Sequence, residues 1–170
     1  MDPPTRIQEL TREVVHRASL PPATSIATAE SCTGGLLASL LTSVPGASAA
    51  FLGGVVAYSN QVKVSQLGVP ADLLEQVGAV SEEVALAMAK GVRRALGADL
   101  GVGITGVAGP GHSEMKPPGL VYVALAAPAG AHCAKLVDDL GREGNRLAAA
   151  SLALQLLSDH LAATGDRRER

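Results

Sequence analysis

Apolar residues recur along this chain at helical spacing in some segments and as short continuous runs in others. Residues 25–29 form a short apolar and β-branched run, which predicts one buried strand. Leucines between positions 36 and 41 then follow at helical spacing until Pro45 ends the pattern. The chain therefore opens its core with a strand that leads directly into a helix.

The remaining pattern alternates in the same way. It predicts helices over 5–18, 70–78, 81–95 and 142–161, a short helical piece ending near 67, and strands over 49–58, 100–104, 120–127 and 131–136. Ser81, followed by Glu82 and Glu83, is predicted to cap the helix that begins there. Strands interleaved with helices favour an α/β fold. We expect one domain over 1–170, a layered α/β/α sandwich with a mixed sheet, whose core spans about 5–162 and whose residues 163–170 form a polar tail.

Composition narrows the classes of function. The 170 residues are 47% hydrophobic but only 2% aromatic, so small aliphatic side chains must fill the core. A net charge of −2 gives no electrostatic footprint for nucleic acid, and no apolar run approaches the length that spans a bilayer. Dispersed histidines and two distant cysteines predict neither a metal site nor a cofactor. We expect a soluble cytoplasmic protein that binds neither nucleic acid nor membrane.

The turn between the first strand and its helix carries the candidate chemistry. It contains Glu30, Ser31, Cys32 and Thr33, followed by Gly34 and Gly35, where backbone N–H groups at a helix start favour a phosphate or an oxyanion. An ordinary turn with Thr33 as N-cap explains the same residues. The pattern alone leaves both interpretations open.

Three polar side chains lie near the ends of the first two predicted strands, namely Ser31, Tyr58 and Lys63. A serine nucleophile needs a base, and a lysine serves if burial lowers its pKa from about 10.4 toward neutrality. Tyr58 could relay a proton or orient the lysine. Cys32 is a rival nucleophile, because a helix N-terminus lowers the pKa of a thiol. Spacing cannot show that these residues meet, and each has an ordinary structural explanation.

A loop rich in glycine and proline follows the strand over 100–104. Unstructured loops of this length are often functional, and two motifs lie close to it. The residues from Gly101 to Gly106 match G-x-G-x-x-G, but they lie mostly inside the predicted strand, so we reject a dinucleotide site. Ser113 and Lys116 match S-x-x-K, which requires a helical turn that Pro117 disfavours.

Several motifs resemble the CinA C-terminal domain family, in order along nearly the whole chain. They are Thr28-Ala29-Glu30-Ser31-Cys32-Thr33-Gly34-Gly35, Tyr58-Ser59-Asn60-x-x-Lys63, Gly78-Ala79-Val80-Ser81-Glu82, Gly103-Ile104-Thr105-Gly106-x-Ala108-Gly109-Pro110 and Gly141-Arg142-x-x-x-Arg146. The resemblance implies a nicotinamide mononucleotide deamidase, an amidohydrolase of pyridine-nucleotide (NAD) salvage that releases nicotinate mononucleotide and ammonia. It also implies a homodimer. In longer members this domain follows a pyrophosphatase-type domain, and the standalone form is the deamidase.

The resemblance also implies roles for single residues. Ser31 is the nucleophile, Lys63 its base and Tyr58 the assisting hydroxyl, which decides between Ser31 and Cys32 by resemblance and not by derivation. Substrate-binding residues are expected at Glu30, Thr33, Gly34, Gly35, Asn60, Thr105, Gly106, Ala108, Gly109 and Arg142.

This chain departs from the family pattern in the loop. Members usually have GPGGG or GPDGG before Ser/Thr, whereas this chain has Gly109-Pro110-Gly111-His112-Ser113, and KPVGTV appears as Lys116-Pro117-Pro118-Gly119-Leu120-Val121. The departures leave the roles of His112, Ser113 and Lys116 open. Two other functions also remain open, a non-catalytic nucleotide- or phosphate-binding module and an amidase for a different carboxamide.

Overall fold

The structure, a computed structural model, describes residues 3–168, and side chains within 5–165. Helices and strands alternate along most of the chain, as the pattern predicts. In order they are α1 (Pro3–Ser19), β1 (Ile26–Glu30), α2 (Leu36–Thr42), β2 (Phe51–Val56), α3 (Asn60–Leu67), α4 (Ala71–Val77), α5 (Glu82–Leu96), β3 (Leu100–Gly106), β4 (Val121–Ala127), β5 (Gly130–Leu136) and α6 (Gly141–Arg168).

The five strands form one mixed sheet in the order β2-β1-β3-β4-β5. Strand β1 pairs parallel with both β2 and β3, while β3–β4 and β4–β5 are antiparallel. At its carboxyl end, Glu30 lies between Val56 of β2 and Ile104 of β3. The residues that follow β1, β2 and β3 therefore emerge at the same edge of the sheet, the position where open parallel sheets bind ligands.

Helices cover both faces of the sheet. One face packs against α1, α2 and α6 through a core that includes Val14, Leu37 and Leu154. The other packs against α5, with α3 and α4 beside it, through residues such as Leu67 and Met88. This arrangement confirms the predicted α/β/α sandwich with a mixed sheet.

Close packing of α5 on β3 depends on glycine. A Cβ atom at Gly101 would lie 2.2 Å from the carbonyl oxygen of Ala89, and one at Gly103 would lie 2.3 Å from that of Ala85. These are backbone atoms, so a larger residue would force the helix away from the sheet. The glycines of β3 thus allow α5 to pack closely on the sheet.

Several boundaries differ from the pattern. The second strand begins at Phe51 and not at 49, because residues 47–49 form a 3₁₀ turn. Helix α6 continues to Arg168, so residues 163–168 of the predicted tail are helical, and 169–170 lie outside the described residues. Ser81 caps α5 as predicted, its Oγ accepting the N–H of Val84 at 3.3 Å. No helix within 3–168 is both long and apolar enough to cross a membrane.

Candidate active site

Ser31 follows β1 at the edge where the parallel strands end. Its N–H donates to the carbonyl of Ile104 at 2.9 Å, which extends the β1–β3 ladder by one residue and fixes the start of the turn. The residue is 8% exposed, so its hydroxyl is largely shielded from solvent. A serine held on a rigid backbone at a sheet edge is well placed to react with a bound molecule.

Glu30 supplies the cap of α2. Its carboxylate accepts the N–H of Leu37 at 3.0 Å and the N–H of Ala38 at 2.8 Å, and the side chain is buried. Helix α2 begins only at Leu36. Its N-cap residue is Gly35, which has no side chain to accept these N–H groups, so the alternative of Thr33 as N-cap is wrong. The N–H groups of Leu37 and Ala38, which could have bound a substrate, are therefore already bound to Glu30. Glu30 thus stabilises the start of α2.

Lys63 reaches Ser31 from the first turn of α3. This helix starts after Ser59, whose Oγ accepts the N–H of Val62 and sets the direction of the helix. Lys63 is only 2% exposed, and its Nζ lies 3.3 Å from Ser31 Oγ and 3.4 Å from the carbonyl oxygen of Tyr58. Two residues that are far apart in the sequence are thus in hydrogen-bond contact.

Burial shifts the pKa of both candidate groups beside Ser31. Removal from water lowers the pKa of Lys63, while the carboxylate of Glu114 and the nearby Cys32 oppose that change. Burial likewise raises the pKa of the Cys32 thiol to about 11, so it stays protonated at neutral pH. A neutral amine can accept a proton, whereas a protonated thiol is a poor nucleophile. The electrostatics therefore favour Ser31 over Cys32.

Tyr58 contributes its backbone rather than its hydroxyl to this contact. The side chain is 63% exposed, and the carbonyl is the Tyr58 group within hydrogen-bond distance of Lys63 Nζ. A role for the hydroxyl therefore requires the ring to move or a substrate to bridge the two groups.

A cavity of about 320 Å³ opens above the Ser31–Lys63 pair. It is lined by most of the predicted site residues, namely Ser31, Tyr58, Asn60, Lys63, Thr105, Gly106, Ala108, Gly109 and Arg142. Glu30, Thr33, Gly34 and Gly35 are not among the lining residues. Between residues 3 and 168 no group of three or more His, Cys, Asp or Glu side chains could hold a metal ion.

Sequence reasoning missed one wall of this cavity. Ala79 and Val80 line it from the turn before α5, and Glu114 lines it from the loop after β3. The sequence marked both segments, the first by a motif of the family and the second by the unusual length of its loop. Neither signal showed that the two segments touch.

The first turns of α6 hold the opposite wall. The Arg142 guanidinium donates to the carbonyl of Gly109 at 2.7 Å, and the Asn145 amide donates to that of Ala108 at 3.0 Å. Arg146 donates to the carbonyl of Thr33 at 3.0 Å and so ties the turn after β1 to the same helix. Helix α6 therefore aligns two loops on which the cavity depends.

Comparison with known proteins identifies the family of this chain. The model of the CinA C-terminal domain matches residues 8–161. The chain belongs to the CinA C-terminal domain family. A CinA-like protein of Anaeromyxobacter sp. is 56% identical over 133 residues, which are 78% of this chain and 32% of that protein. A CinA-like protein of a Cyanothece species is 50% identical over 144 residues, covering 83% of this chain and 34% of that protein.

Solved structures of CinA-family proteins share this fold over most of the chain. The competence/damage inducible protein CihA from Agrobacterium tumefaciens is 41% identical with a TM-score of 0.86, covering 92% of this chain and 95% of that one. A CinA superfamily protein from Klebsiella pneumoniae is 32% identical with a TM-score of 0.88, covering 92% and 98%. This chain spans only about a third of the length of the curated CinA relatives it matches.

Proposed function

We propose that this CinA-family domain is an amidohydrolase that converts nicotinamide mononucleotide and water to nicotinate mononucleotide and ammonia, a step of NAD salvage. The observation that carries the proposal is the contact between Ser31 Oγ and the buried Nζ of Lys63 at 3.3 Å. This geometry matches a nucleophile beside its base. The identity of the substrate comes from the family resemblance.

The acylation step uses the lone pair of a neutral Lys63. One Nζ hydrogen donates to the Tyr58 carbonyl, which leaves the lone pair free to accept the Ser31 hydroxyl proton. Ser31 Oγ then attacks the carboxamide carbon and forms a tetrahedral intermediate. Lys63, now protonated, transfers its proton to the amide nitrogen, the C–N bond breaks, and ammonia leaves a serine ester behind.

Water completes the cycle. Lys63 is neutral again and removes a proton from water, whose oxygen attacks the ester carbon. The bond to Ser31 Oγ breaks, Oγ regains its proton from Lys63, and the carboxylic acid leaves. In both half-reactions Lys63 exchanges a proton with Ser31 Oγ. Both therefore need the amine within hydrogen-bond distance of that oxygen atom.

The developing oxyanion needs a backbone donor near Ser31. Among the N–H groups at the turn, that of Gly34 donates to the Ser31 carbonyl, and those of Leu37 and Ala38 donate to Glu30. Among the described residues, the N–H groups of Cys32, Thr33 and Gly35 have no acceptor in another residue, and of these three residues Cys32 lines the cavity. We therefore assign the oxyanion to the Cys32 N–H, a contribution worth about 3–4 kcal/mol in comparable sites.

The remaining cavity supplies a place for the nucleotide. Its volume of about 320 Å³ is at the lower end of the range, roughly 300–1,000 Å³, of small-molecule pockets. Arg142 lines it with a guanidinium that uses one nitrogen on Gly109, so other N–H groups remain for a phosphate. Thr105, Gly106, Ala108 and Gly109 also line the cavity, and we assign the ribose to backbone N–H groups of this segment.

The test is ammonia release from nicotinamide mononucleotide by the purified chain. We expect Ser31→Ala and Lys63→Met each to reduce kcat by at least about 1,000-fold, as losing a nucleophile or its base does elsewhere. Cys32→Ala is the matched control at the neighbouring position and should retain most activity. Activity that survives Ser31→Ala but disappears in Cys32→Ala would assign the chemistry to the thiol.

Two other functions give different results in the same assay. If the wild type binds the nucleotide but releases no ammonia, the domain is a non-catalytic binding module. If free nicotinamide is hydrolysed at a rate comparable to that of the nucleotide, the substrate is a different carboxamide. Free nicotinamide lacks the phosphate that Arg142 is expected to bind.

A further inference from the structure

The loop after β3 folds back on itself in a two-residue hairpin. The N–H of Ser113 donates to the Lys116 carbonyl at 3.1 Å, and the N–H of Lys116 donates to the Ser113 carbonyl at 2.8 Å. Glu114 and Met115, at the tip, have φ values of 53° and 60°. Residues other than glycine rarely adopt this left-handed conformation, and it persists only where surrounding contacts fix it.

The contacts that fix the tip come from the two side chains flanking Met115. The Glu114 carboxylate accepts the N–H of Ala79 at 3.1 Å and the N–H of Val80 at 3.4 Å. Lys116 Nζ donates to the carbonyl of Val77 at 2.9 Å and also to that of Val80. Side chains of the hairpin thus bind both N–H groups and carbonyl groups of the turn before α5.

This connection closes one side of the cavity above Ser31. Ala79, Val80 and Glu114 all line that cavity, and the Thr105 hydroxyl donates to the Ala79 carbonyl at 2.7 Å from the opposite side. The turn at 79–80 is therefore held between β3 and the hairpin. Met115, by contrast, is 96% exposed and is not a lining residue.

We infer that Glu114 is a positioning residue of the proposed active site, whose carboxylate binds the N–H groups of Ala79 and Val80 and holds the loop of residues 109–116 over the Ser31–Lys63 pair. The inference deepens the proposed function and rests on it for its catalytic consequence. The contacts themselves do not depend on the substrate.

Glu114 also places a negative charge toward Lys63. Among the described residues, the ionisable side chains that face Lys63, line its cavity or contact Glu114 are Cys32, Tyr58, Arg94 (on the Leu67 carbonyl that ends α3), His112, Glu114, Lys116 (3.9 Å from the Glu114 carboxylate) and Arg142. Among them Glu114 is the carboxylate, and it raises the pKa of Lys63 against the larger lowering caused by burial. Loss of its charge should therefore lower the pKa of Lys63 further, so that more of the amine is neutral at a given pH.

Three variants separate position from charge. Glu114→Gln keeps one acceptor oxygen for Ala79 but removes the charge and the acceptor for Val80, Glu114→Ala removes both acceptors and the charge, and Met115→Ala changes the exposed neighbour in the same turn. For Glu114→Gln we expect a smaller rise in KM than for Glu114→Ala and an acidic limb of kcat/KM displaced to lower pH. For Glu114→Ala we expect the same displacement and a rise in KM of about tenfold, the effect of losing a charge-assisted hydrogen bond.

A purely structural role for Glu114 would not move the acidic limb in Glu114→Gln, so an unmoved limb overturns the inference. A rise in KM for Met115→Ala equal to that of Glu114→Ala also overturns it, because the effect would then belong to the hairpin and not to the carboxylate.

Two further measurements need no substrate and separate this inference from the proposed function. Hydrogen exchange of the Ala79 and Val80 amides should accelerate about tenfold in Glu114→Ala and stay unchanged in Met115→Ala. NMR titration of the Lys63 side chain should show a lower pKa in Glu114→Gln. If the wild type releases no ammonia but both results appear, the proposed activity fails and the positioning role stands. If neither appears, the positioning role fails whatever the activity.

Discussion

Replacement of Lys63 by methionine should make the folded protein more stable while abolishing activity. The lysine side chain is 2% exposed, and the two partners of its Nζ are neutral oxygens at 3.3 and 3.4 Å. No carboxylate among the described residues lies within 4.0 Å of this nitrogen. A protonated Lys63 is therefore desolvated without an ion pair, which destabilises the fold.

The magnitude follows from what methionine removes and what it keeps. Methionine is similar in length, so the apolar contacts of the lysine stem remain. Replacing buried charged groups by well-packed apolar ones is neutral or stabilising by about 1–4 kcal/mol, and two long hydrogen bonds to neutral oxygens offset part of this gain. We expect a net gain of about 1–2 kcal/mol, or roughly 2–8 °C in Tm for a chain of this size.

The gain should depend on pH with a definite sign. Because burial lowers the pKa of Lys63 in the folded state, the unfolded chain binds the proton more tightly, and stability falls as pH decreases below about 10.4 until the folded-state pKa is reached. The advantage of Lys63→Met therefore grows as pH falls from about 10.4 toward the folded-state pKa, and it is smallest near pH 10 and above.

Urea unfolding at pH 7 and at pH 10 measures this difference. The control is Lys90→Met, which removes a lysine from an exposed position of α5 and should change stability by less than about 0.5 kcal/mol. A Lys63→Met variant less stable than the wild type at pH 7 would refute the reasoning, because it would mean that the buried amine is a net stabilising group.

Three further predictions concern the site and its support. Because burial lowers the pKa of Lys63, kcat/KM for nicotinamide mononucleotide should rise with pH and level off below the ordinary lysine value of about 10.4; a rise centred near 10.4 in initial-rate assays contradicts this. Glu30→Ala should lower the free energy of unfolding by about 2–3 kcal/mol, since one buried and one partly buried N–H group of α2 lose their acceptor; urea unfolding measures it, with exposed Glu9→Ala as the neutral control. Gly103→Ala should destabilise by at least about 1–3 kcal/mol because its Cβ would lie 2.3 Å from a backbone oxygen of α5, whereas Gly165→Ala, with open space around it in α6, should stabilise by up to about 1 kcal/mol; equal thermal shifts would exclude the packing explanation.

Much of the architecture could be predicted because it depends on local pattern. The spacing of apolar residues, with the Gly and Pro residues that interrupt it, placed each helix and strand within a few residues. The cap at Ser81 was predicted because a serine before two glutamates can accept a hydrogen bond from the first turn of the helix. Boundaries were less certain where tertiary contacts decide them. Helix α2 begins at Leu36 because the Glu30 carboxylate caps it from β1.

The candidate site was predicted in part for the same reason. Ser31, Lys63 and the Thr105–Gly109 segment are recognisable by residue type and motif, and all of them line one cavity. Thr33 and the glycines that follow it looked similar in the sequence, yet they do not line the cavity. The direction of a turn in space decides such differences, and residue type does not record it.

By itself the sequence determined the order of the elements, the α/β class and the set of groups capable of acyl-transfer chemistry, since these follow from periodicity and from the identity of each side chain. Only the tertiary structure decided which groups meet and how they are charged. It brings Lys63 to Ser31, removes both Lys63 and Cys32 from water, and sets Glu114 on the turn before α5. The reason is that a pKa and a contact belong to an environment assembled from distant segments, and not to the residue alone.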